Sequence, residues 1–595
     1  MRKEGKKMEK IVKQFDVAVI GGGMSGLCAA LAAARHGAKT VLVQDRPVLG
    51  GNASSEIRMH ICGADKHGAI ENARESGILE ELLLENRYIN PQHSFCVQDA
   101  VFWNAAKKQK NLELYLNTRV TDVHAQENEI RSVSAVQMTS EKEFLFSARY
   151  FIDATGDGYL GFKAGAEYMY GREDKGAYGE PDAADIADRQ VMGSSLMFTA
   201  KDTGHPIPFI KPNWAYTFTE EDLKKRPHKE ITSGYWWIEV SGDLDPIDNA
   251  EEIRDELLKI LYGIWDHIKN TPGHNAENYV LDWVGFLPGK RESRRLKGEY
   301  VLTEQDLSSC RAFPDVVAYG GWDMDVHVPN GILSTDREAT TYYQLRDVYD
   351  IPYRCLYSVN IKNLFLAGRA ISVTHMAFGS TRVMGTCAVV GQAAGTAAAM
   401  AVTRGLRSAG EVNIYIKELQ QRLLRDGCFL PGIKNEDQGD LAKSASVSAS
   451  SFKTEGDPQN VINGEVRNRH GVCNAYVSDG ISPKGERLIL RWDKEISANR
   501  ILLRFDTNFR YELTITISDS TRKNQRPFPI ELVKDYDIEL YRNENKVKTI
   551  SKRENIQRCN DICFDTELFD RAEIVMYSTH GASDVSVFEV RVYHD

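Results

Sequence analysis

The sequence predicts an α/β fold with an inserted α+β domain, followed by an all-β sandwich. Three observations predict it. A buried-strand pattern, Phe15–Ile20, runs straight into a glycine-rich turn and an alanine-rich helix. A small-residue helical pattern returns at Val383–Ala401, after a stretch of different composition. Beyond about Asp437 the chain becomes a series of alternating apolar and polar runs.

At 595 residues the chain is too long for a single hydrophobic core, so two or more domains are expected. The net charge of −10, with no Lys/Arg run interleaved with aromatics, argues against a nucleic-acid partner and against docking on an anionic membrane. The longest apolar stretches, Cys28–Ala34 and Ala393–Val402, are too short to span a bilayer. Met1–Gln14 is basic but has no apolar core and no small-residue cleavage site. It reads as a flexible N-terminus, residues 1–14, and a cytoplasmic location is expected. The ten cysteines are scattered and form no C-x-x-C, so no iron–sulfur cluster, zinc ribbon or redox dithiol is expected. Cys559 and Cys563, the nearest pair, read as unrelated core thiols.

The first element is a strand–turn–helix–strand unit. Gly21-x-Gly23-x-x-Gly26 lies between strand and helix, Gly37 is a plausible helix stop, and Lys39–Val43 is the second strand. Each glycine has a physical task. Gly21 permits the tight turn, Gly23 lets a pyrophosphate approach the backbone, and Gly26 lets the helix pack on the sheet. The free N–H groups and positive dipole end at the helix start favour phosphate, so the unit predicts a dinucleotide site. Gln44 aligns with the position expected to bind the ribose hydroxyls, with Asp45 beside it. An amide can hydrogen-bond a diol without charge assistance, while Asp45 also reads as a solvated loop residue. Gly50-Gly51-Asn52 is either a second set of N–H groups for the pyrophosphate or an ordinary turn.

Leu112–Asp153 reads as several strands, and Asn363–Ala367 as one more buried strand. Between them lies the insert, which holds six of the eight tryptophans and a helical stretch near Ala250–Lys269. Tyr415–Arg425 is an amphipathic helix. The C-terminal runs are Leu488–Trp492, Arg500–Phe505, Glu512–Ile517, Ile538–Tyr541, Ala572–Tyr577 and Val585–Tyr593.

The motif alone does not separate FAD from NAD. Val43–Gly51 looks like the segment after the second strand in FAD proteins with the glutathione-reductase-type nucleotide fold. Asp153-Ala-Thr-Gly-Asp-Gly158 with Gly165-Ala166 is similar to a signature of a bacterial FAD-dependent oxidoreductase family. So are Arg291–Arg295 with Gly298-Glu-Tyr, Ile351–Leu356, Leu364–Arg369, Ser380–Met384 and Gly391–Gly395. The resemblance covers about Phe15 to Pro431 and implies FAD and oxidoreductase chemistry. It places the backbone of Val120 at the adenine, Thr155 and Gly156 near the dinucleotide, and Gly368 on the flavin side. Arg369 stands where related enzymes often carry Asp. The helix from about Val383, with Arg382 and Gly385 at its start, is expected to aim its N-terminus at the flavin.

Leu441–Asp595 resembles a galactose-binding-like, discoidin-type jelly roll, through Ser446–Ser450, Asn460–Gly464, Asn474–Asp479, Leu488–Trp492 and Ile501–Phe505. That resemblance leaves two readings, a carbohydrate-binding domain or a packing module. The full expectation is an α/β FAD-binding Rossmann-type fold (15–160 and 351–436), an inserted α+β substrate domain (161–350) and a C-terminal all-β jelly-roll sandwich (437–595).

Four groups are candidates for chemistry. His60, in Arg58-Met-His60-Ile-Cys62, is an acid/base or a structural histidine. Arg291 and Arg294, in the cluster with Glu292 and Arg295, bind a carboxylate or phosphate or form a structural network. Asp323, Asp325 and His327 would share one face of a strand, but a hydrogen-bonded loop is the preferred reading and no metal site is expected. His375 is the preferred acid/base. With no second glycine motif the electron donor or acceptor stays unassigned. Three functions remain open. They are hydride transfer between flavin and a small polar substrate such as a carbohydrate or glycoside, reduction of a carboxylated alkene, and sugar binding with a structural FAD.

Overall fold

The computed structural model describes residues 10–64 and 70–594. The chain divides into two compact units. The first comprises Met1–Ala64, Gln92–Leu419 and Thr514–Asn524, and the second Asp65–Pro91, Gln420–Leu513 and Gln525–Asp595.

The first unit is organised by a seven-stranded sheet. Strand β1 (Lys10–Ile20) leads into α1 (Met24–Arg35), and β2 (Thr40–Val43), β3 (Leu112–Tyr115), β4 (Thr118–Gln126), β5 (Glu129–Gln137) and β6 (Lys142–Asp153) follow. The order is β3-β2-β1-β6-β5-β4, and strand Leu364–Leu366 pairs with β6. The β1, β2, β3, β6 and Leu364–Leu366 pairings are parallel, and β4–β5–β6 is antiparallel. The expected flexible segment 1–14 is corrected in part: residues 10–14 are strand, with Lys10 opposite Glu143 and Gln14 opposite Ser147. Residues 1–9 lie outside the described residues.

The helix Met384–Thr403 has the length and composition to cross a membrane, yet 94% of that stretch is buried in protein. Its glycines explain the burial. A Cβ at Gly391 would lie 2.1 Å from the Ser25 carbonyl oxygen, and one at Gly395 2.1 Å from that of Ala29. Backbone therefore packs on backbone between this helix and α1.

The stretch 161–350 forms small antiparallel sheets around the helix Ala250–Asn270. Trp237 and Trp265 are fully buried in its core with Phe198, Leu257, Ile260 and Ile264. Trp236, packed at the margin of that core, meets the edge of His327.

The second unit is all-β. Two long bent strands, Glu486–Phe505 and Cys559–Thr579, pair antiparallel, with shorter strands to either side. Its core contains Leu488, Leu490, Trp492, Ile501, Phe505, Ile538, Ile574 and Val590. Its boundary falls at Gln420, not at 437, and it includes Asp65–Pro91 from the N-terminal sequence. Glu512–Ile517 is not a strand. The segment is irregular, its polar Thr514 and Thr516 are buried along with Leu513 and Ile515, and Thr514–Asn524 belongs to the first unit. There Thr514 Oγ accepts the Ile61 N–H at 3.0 Å, and Glu230 accepts from Asp519 N–H and Ser520 Oγ. Cys559 and Cys563 are exposed, not core, and no disulfide forms among the described cysteines.

Candidate functional site

The glycines at the ends of β1 and β2 build a cradle from backbone. Gly21 has φ +101° and a Cβ there would lie 2.2 Å from the Ala154 carbonyl oxygen. Its N–H donates to Val43 across the strand ends. Gly26 is tighter still, its Cβ position lying 1.8 Å from the Gly21 carbonyl oxygen. Gly50, with φ +103°, donates its N–H to Gly22. The second glycine segment thus abuts the first. Gly23 differs from all of these: its φ is −64°, and a Cβ would meet nothing closer than Gly51 Cα at 3.9 Å. Gly23 caps α1 without a side chain, and the first turn of α1 carries no acid. The positive end of the helix is therefore unopposed.

This cradle fits FAD on one further observation. The Ser25 hydroxyl, in the first turn of α1, is buried with no hydrogen-bond partner among the described residues. Buried hydroxyls rarely stay unpaired, so an oxygen-rich ligand is the natural partner. Gly368, with φ +69°, lies beside it, its Cβ position 3.2 Å from Ser25 Cβ.

The other expected cofactor residues make contacts within the protein. The Gln44 amide oxygen accepts the Gly22 N–H at 2.8 Å and its amide nitrogen reaches Val48 O. Gln44 thus fixes the glycine turn. Asp45 is half exposed, facing Arg46. Asn52 donates to Lys290 O. Val120 is paired in β4 opposite Ala135, with a register shift directly after it. Thr155 is bound to the Asp153 carboxylate and accepts the Tyr159 N–H. Arg369 is packed over Gly156. It donates to the carbonyls of Gly156 and Lys290 and pairs with Asp157. Burial works to raise the Asp157 pKa, but Lys290 and Arg369 hold it below the usual carboxylate range. Arg382 donates to the Asp325 carboxylate and carbonyl, and Gly385 N–H donates to Cys62 O. Arg382, expected at the cofactor, is thus tied to Asp325.

Two buried charge networks lie in this unit. In the first, Glu292 is shared by His375 Nδ1 at 2.9 Å, by Arg295 and by the Met192 N–H at 2.9 Å. Arg295 is fully buried and also donates to Glu173 and Gly171 O. Burial opposes ionisation of Glu292, yet His375 and Arg295 hold its pKa low. His375 is almost fully buried, at the start of the short helix His375–Thr381, and its Nε2 makes no hydrogen bond among the described residues.

The second network joins Arg291, Glu239, His327, Asp325 and Arg382. His327 Nδ1 is 2.6 Å from Glu239 and its Nε2 is 3.4 Å from Asp325. Arg291 pairs with Glu239 and donates to Ser195 Oγ, Trp236 O and Gly193 O. Arg294 stacks on Phe162 and donates to Asp157 O. The arginines are thus engaged within the protein, which favours the structural reading of that cluster. His60 is half-buried, with Nε2 3.1 Å from Cys62 Sγ. Sequence reasoning missed Ser25, whose hydroxyl is buried without a partner, and Glu239 and Glu173, which gain meaning only from distant partners.

In comparisons with known proteins, residues 16–423 match the family model described as FAD dependent oxidoreductase. No curated protein matches the chain. Among solved structures, the C-terminal region matches carbohydrate-binding modules. A chitosan-binding module from Paenibacillus sp. IK-5 is 12% identical, covering 26% of this chain and 98% of its own, with a TM-score of 0.20. A Streptococcus pneumoniae fucose-binding module is 15% identical, covering 27% and 99%, with a TM-score of 0.20. A family 32 module from C. perfringens, solved with galactose, is 15% identical, covering 26% and 95%, with a TM-score of 0.19. With the family matched over more than half its length and a cradle that fits the cofactor, this chain belongs to the FAD dependent oxidoreductase family.

Proposed function

We propose that the chain transfers a hydride between its flavin and a small polar substrate of the carbohydrate or glycoside class. The Glu292–His375 pair carries this reading. A buried carboxylate on Nδ1 fixes the imidazole tautomer and leaves the Nε2 lone pair available to take or return the substrate proton. FAD, held by the glycine cradle, supplies the hydride acceptor or donor. Thr514 braces the His60–Cys62 loop through Ile61 N–H, and Glu292 keeps His375 oriented.

The sugar class is supported by the galactose-binding-like sequence pattern of the C-terminal region. It is also supported by a polar cavity of about 170 Å³ in the second unit, lined by Asn72, Asn468, Asp506, Asn508, Phe509, Arg510 and Phe588. Amide, carboxylate and guanidinium groups suit sugar hydroxyls. Arg291 and Arg294 hydrogen-bond within the protein, which counts against the carboxylated-alkene reading.

The test is anaerobic bleaching of the flavin absorbance by a panel of sugars, glycosides and carboxylic acids. We expect bleaching by a sugar or glycoside, and a rate at least about 100-fold lower in His375→Gln. Bleaching by dithionite alone would favour sugar binding with a structural FAD. Reoxidation of the reduced protein by unsaturated acids would restore the alkene reading.

A further inference from the structure

We propose that Glu220, His228, His267 and His274 bind one zinc-class divalent ion in the inserted region. One ligand atom from each of the four lies within 4.8 Å of every other. The three histidine Nε2 atoms converge on the Glu220 carboxylate, at 3.3 Å for His228 and 3.1 Å for His267 and His274. In a tetrahedral zinc site with metal–ligand bonds of about 2.0–2.1 Å, neighbouring ligand atoms are about 3.3 Å apart. The His267 and His274 separations, both to Oε1, therefore match two edges of such a tetrahedron, and His228 lies beside Oε2 of the same carboxylate.

The tautomers point the same way. His267 Nδ1 is 3.0 Å from Phe218 O, and His228 Nδ1 is 2.6 Å from Arg226 O. A carbonyl oxygen only accepts, so both Nδ1 atoms carry the proton. In the neutral rings Nε2 is then a bare lone pair. Each faces a carboxylate oxygen, which is also an acceptor. Two acceptors at that distance repel unless a cation lies between them. Protonating each ring would place imidazolium groups against one another, with ring centroids 4.9–5.5 Å apart. One shared metal ion satisfies every lone pair without that repulsion. Nδ1–H donated to a backbone carbonyl is also how metal-binding histidines are commonly oriented.

Three imidazole nitrogens and one carboxylate suit zinc, cobalt, nickel or copper over calcium or magnesium, which prefer all-oxygen sets. The protein fills all four positions, the mark of a structural site. The ion would tie His228 and His274, in irregular segments, to the end of the helix Ala250–Asn270, where His267 is almost fully buried. Glu220, 63% exposed, gives the ion its way in.

The test uses the full-length flavoprotein after chelator treatment and dialysis, titrated with Co²⁺ and then Zn²⁺. We expect one Co²⁺ per chain with the intense visible bands of a tetrahedral ion, displaced by Zn²⁺ and untouched by Ca²⁺. His228→Gln and His274→Gln, at the two less buried histidines, should each weaken Co²⁺ by more than the about 10–100-fold that an outer-layer residue carries. Far-UV circular dichroism and flavin content should stay unchanged in both, which keeps this test separate from the redox function. Failure to bind Co²⁺, the weak bands of an octahedral ion, or tetrahedral bands that persist in both variants would each overturn the proposal.

Discussion

Two regions of the first unit are built in opposite ways. The nucleotide cradle is made of backbone: Gly21, Gly23, Gly26 and Gly50 act through what they lack. The charge networks around Glu292 and Glu239 are made of side chains brought together from as far apart as Glu173 and His375. A backbone site needs consecutive residues with set φ values, so its signature is local. A side-chain site needs only that folding bring partners together, so no spacing marks it.

The largest expected effect tests the backbone half. Gly26→Ala would force a Cβ to 1.8 Å from the Gly21 carbonyl oxygen, a position only backbone displacement can relieve. We expect a loss above about 4 kcal/mol and no retained flavin. Gly23→Ala separates packing from binding. Its φ of −64° suits alanine, and its Cβ would enter open space. Its flavin-free fold should lose no more than about 0.5–1 kcal/mol, yet flavin should not stay bound through gel filtration. If Gly23→Ala keeps its flavin, the pyrophosphate does not pass there.

That contrast accounts for what was legible. The strand–glycine–helix unit and the all-β end could be read from periodicity and glycine spacing. The contact of Arg382 with Asp325 is not legible, because the two lie far apart in sequence. Gln44 follows the second strand, at the position expected to bind the ribose hydroxyls. Its engagement with Gly22 depends on a rotamer that sequence does not encode. Glu512–Ile517 alternates in sequence like a strand, yet Leu513, Thr514, Ile515 and Thr516 are all buried and the segment makes no ladder. The Glu220 cluster has ligands eight, thirty-nine and seven residues apart, which is no known metal-binding spacing.

The next prediction tests the side-chain half. Glu292→Ala would leave the fully buried Arg295 and the His375 imidazole without their shared carboxylate. Breaking a buried pair by removing one partner costs about 3–5 kcal/mol. We expect that loss in urea unfolding, with a much smaller one for the shape-preserving Glu292→Gln. Equal, small losses in both variants would show that the network is not coupled.

Asp350 sharpens the same half from its unpaired side. Burial pushes its pKa up to about 7, with Asp315 adding to the shift, although the Phe313 N–H donates to it at 2.9 Å. Among the described residues it has no cation partner. The folded state therefore binds a proton that the unfolded state releases near pH 4, and stability falls as pH rises from about 4 to about 7. Asp350→Asn removes this dependence. It should match the native chain below pH 4 and exceed it by about 2–4 kcal/mol at pH 8, read from urea midpoints. A constant difference across that range would mean that Asp350 does not titrate there.

Ser25 is expected to give the smallest effect, and it joins the two halves, being a side chain placed inside the backbone-built cradle. Its hydroxyl is buried and unpaired without a ligand, which costs the flavin-free fold. Ser25→Ala should therefore leave flavin-free protein as stable as the native chain or slightly more so. With FAD bound the sign should reverse, because a hydrogen bond to the ligand is lost. At about 1–1.5 kcal/mol that bond corresponds to about a tenfold rise in Kd for FAD. Opposite signs in the two states are the informative outcome, since a packing defect would weaken both. If Ser25→Ala binds FAD as tightly as the native chain, the hydroxyl does not face the cofactor, and the cradle recognises its ligand through backbone alone.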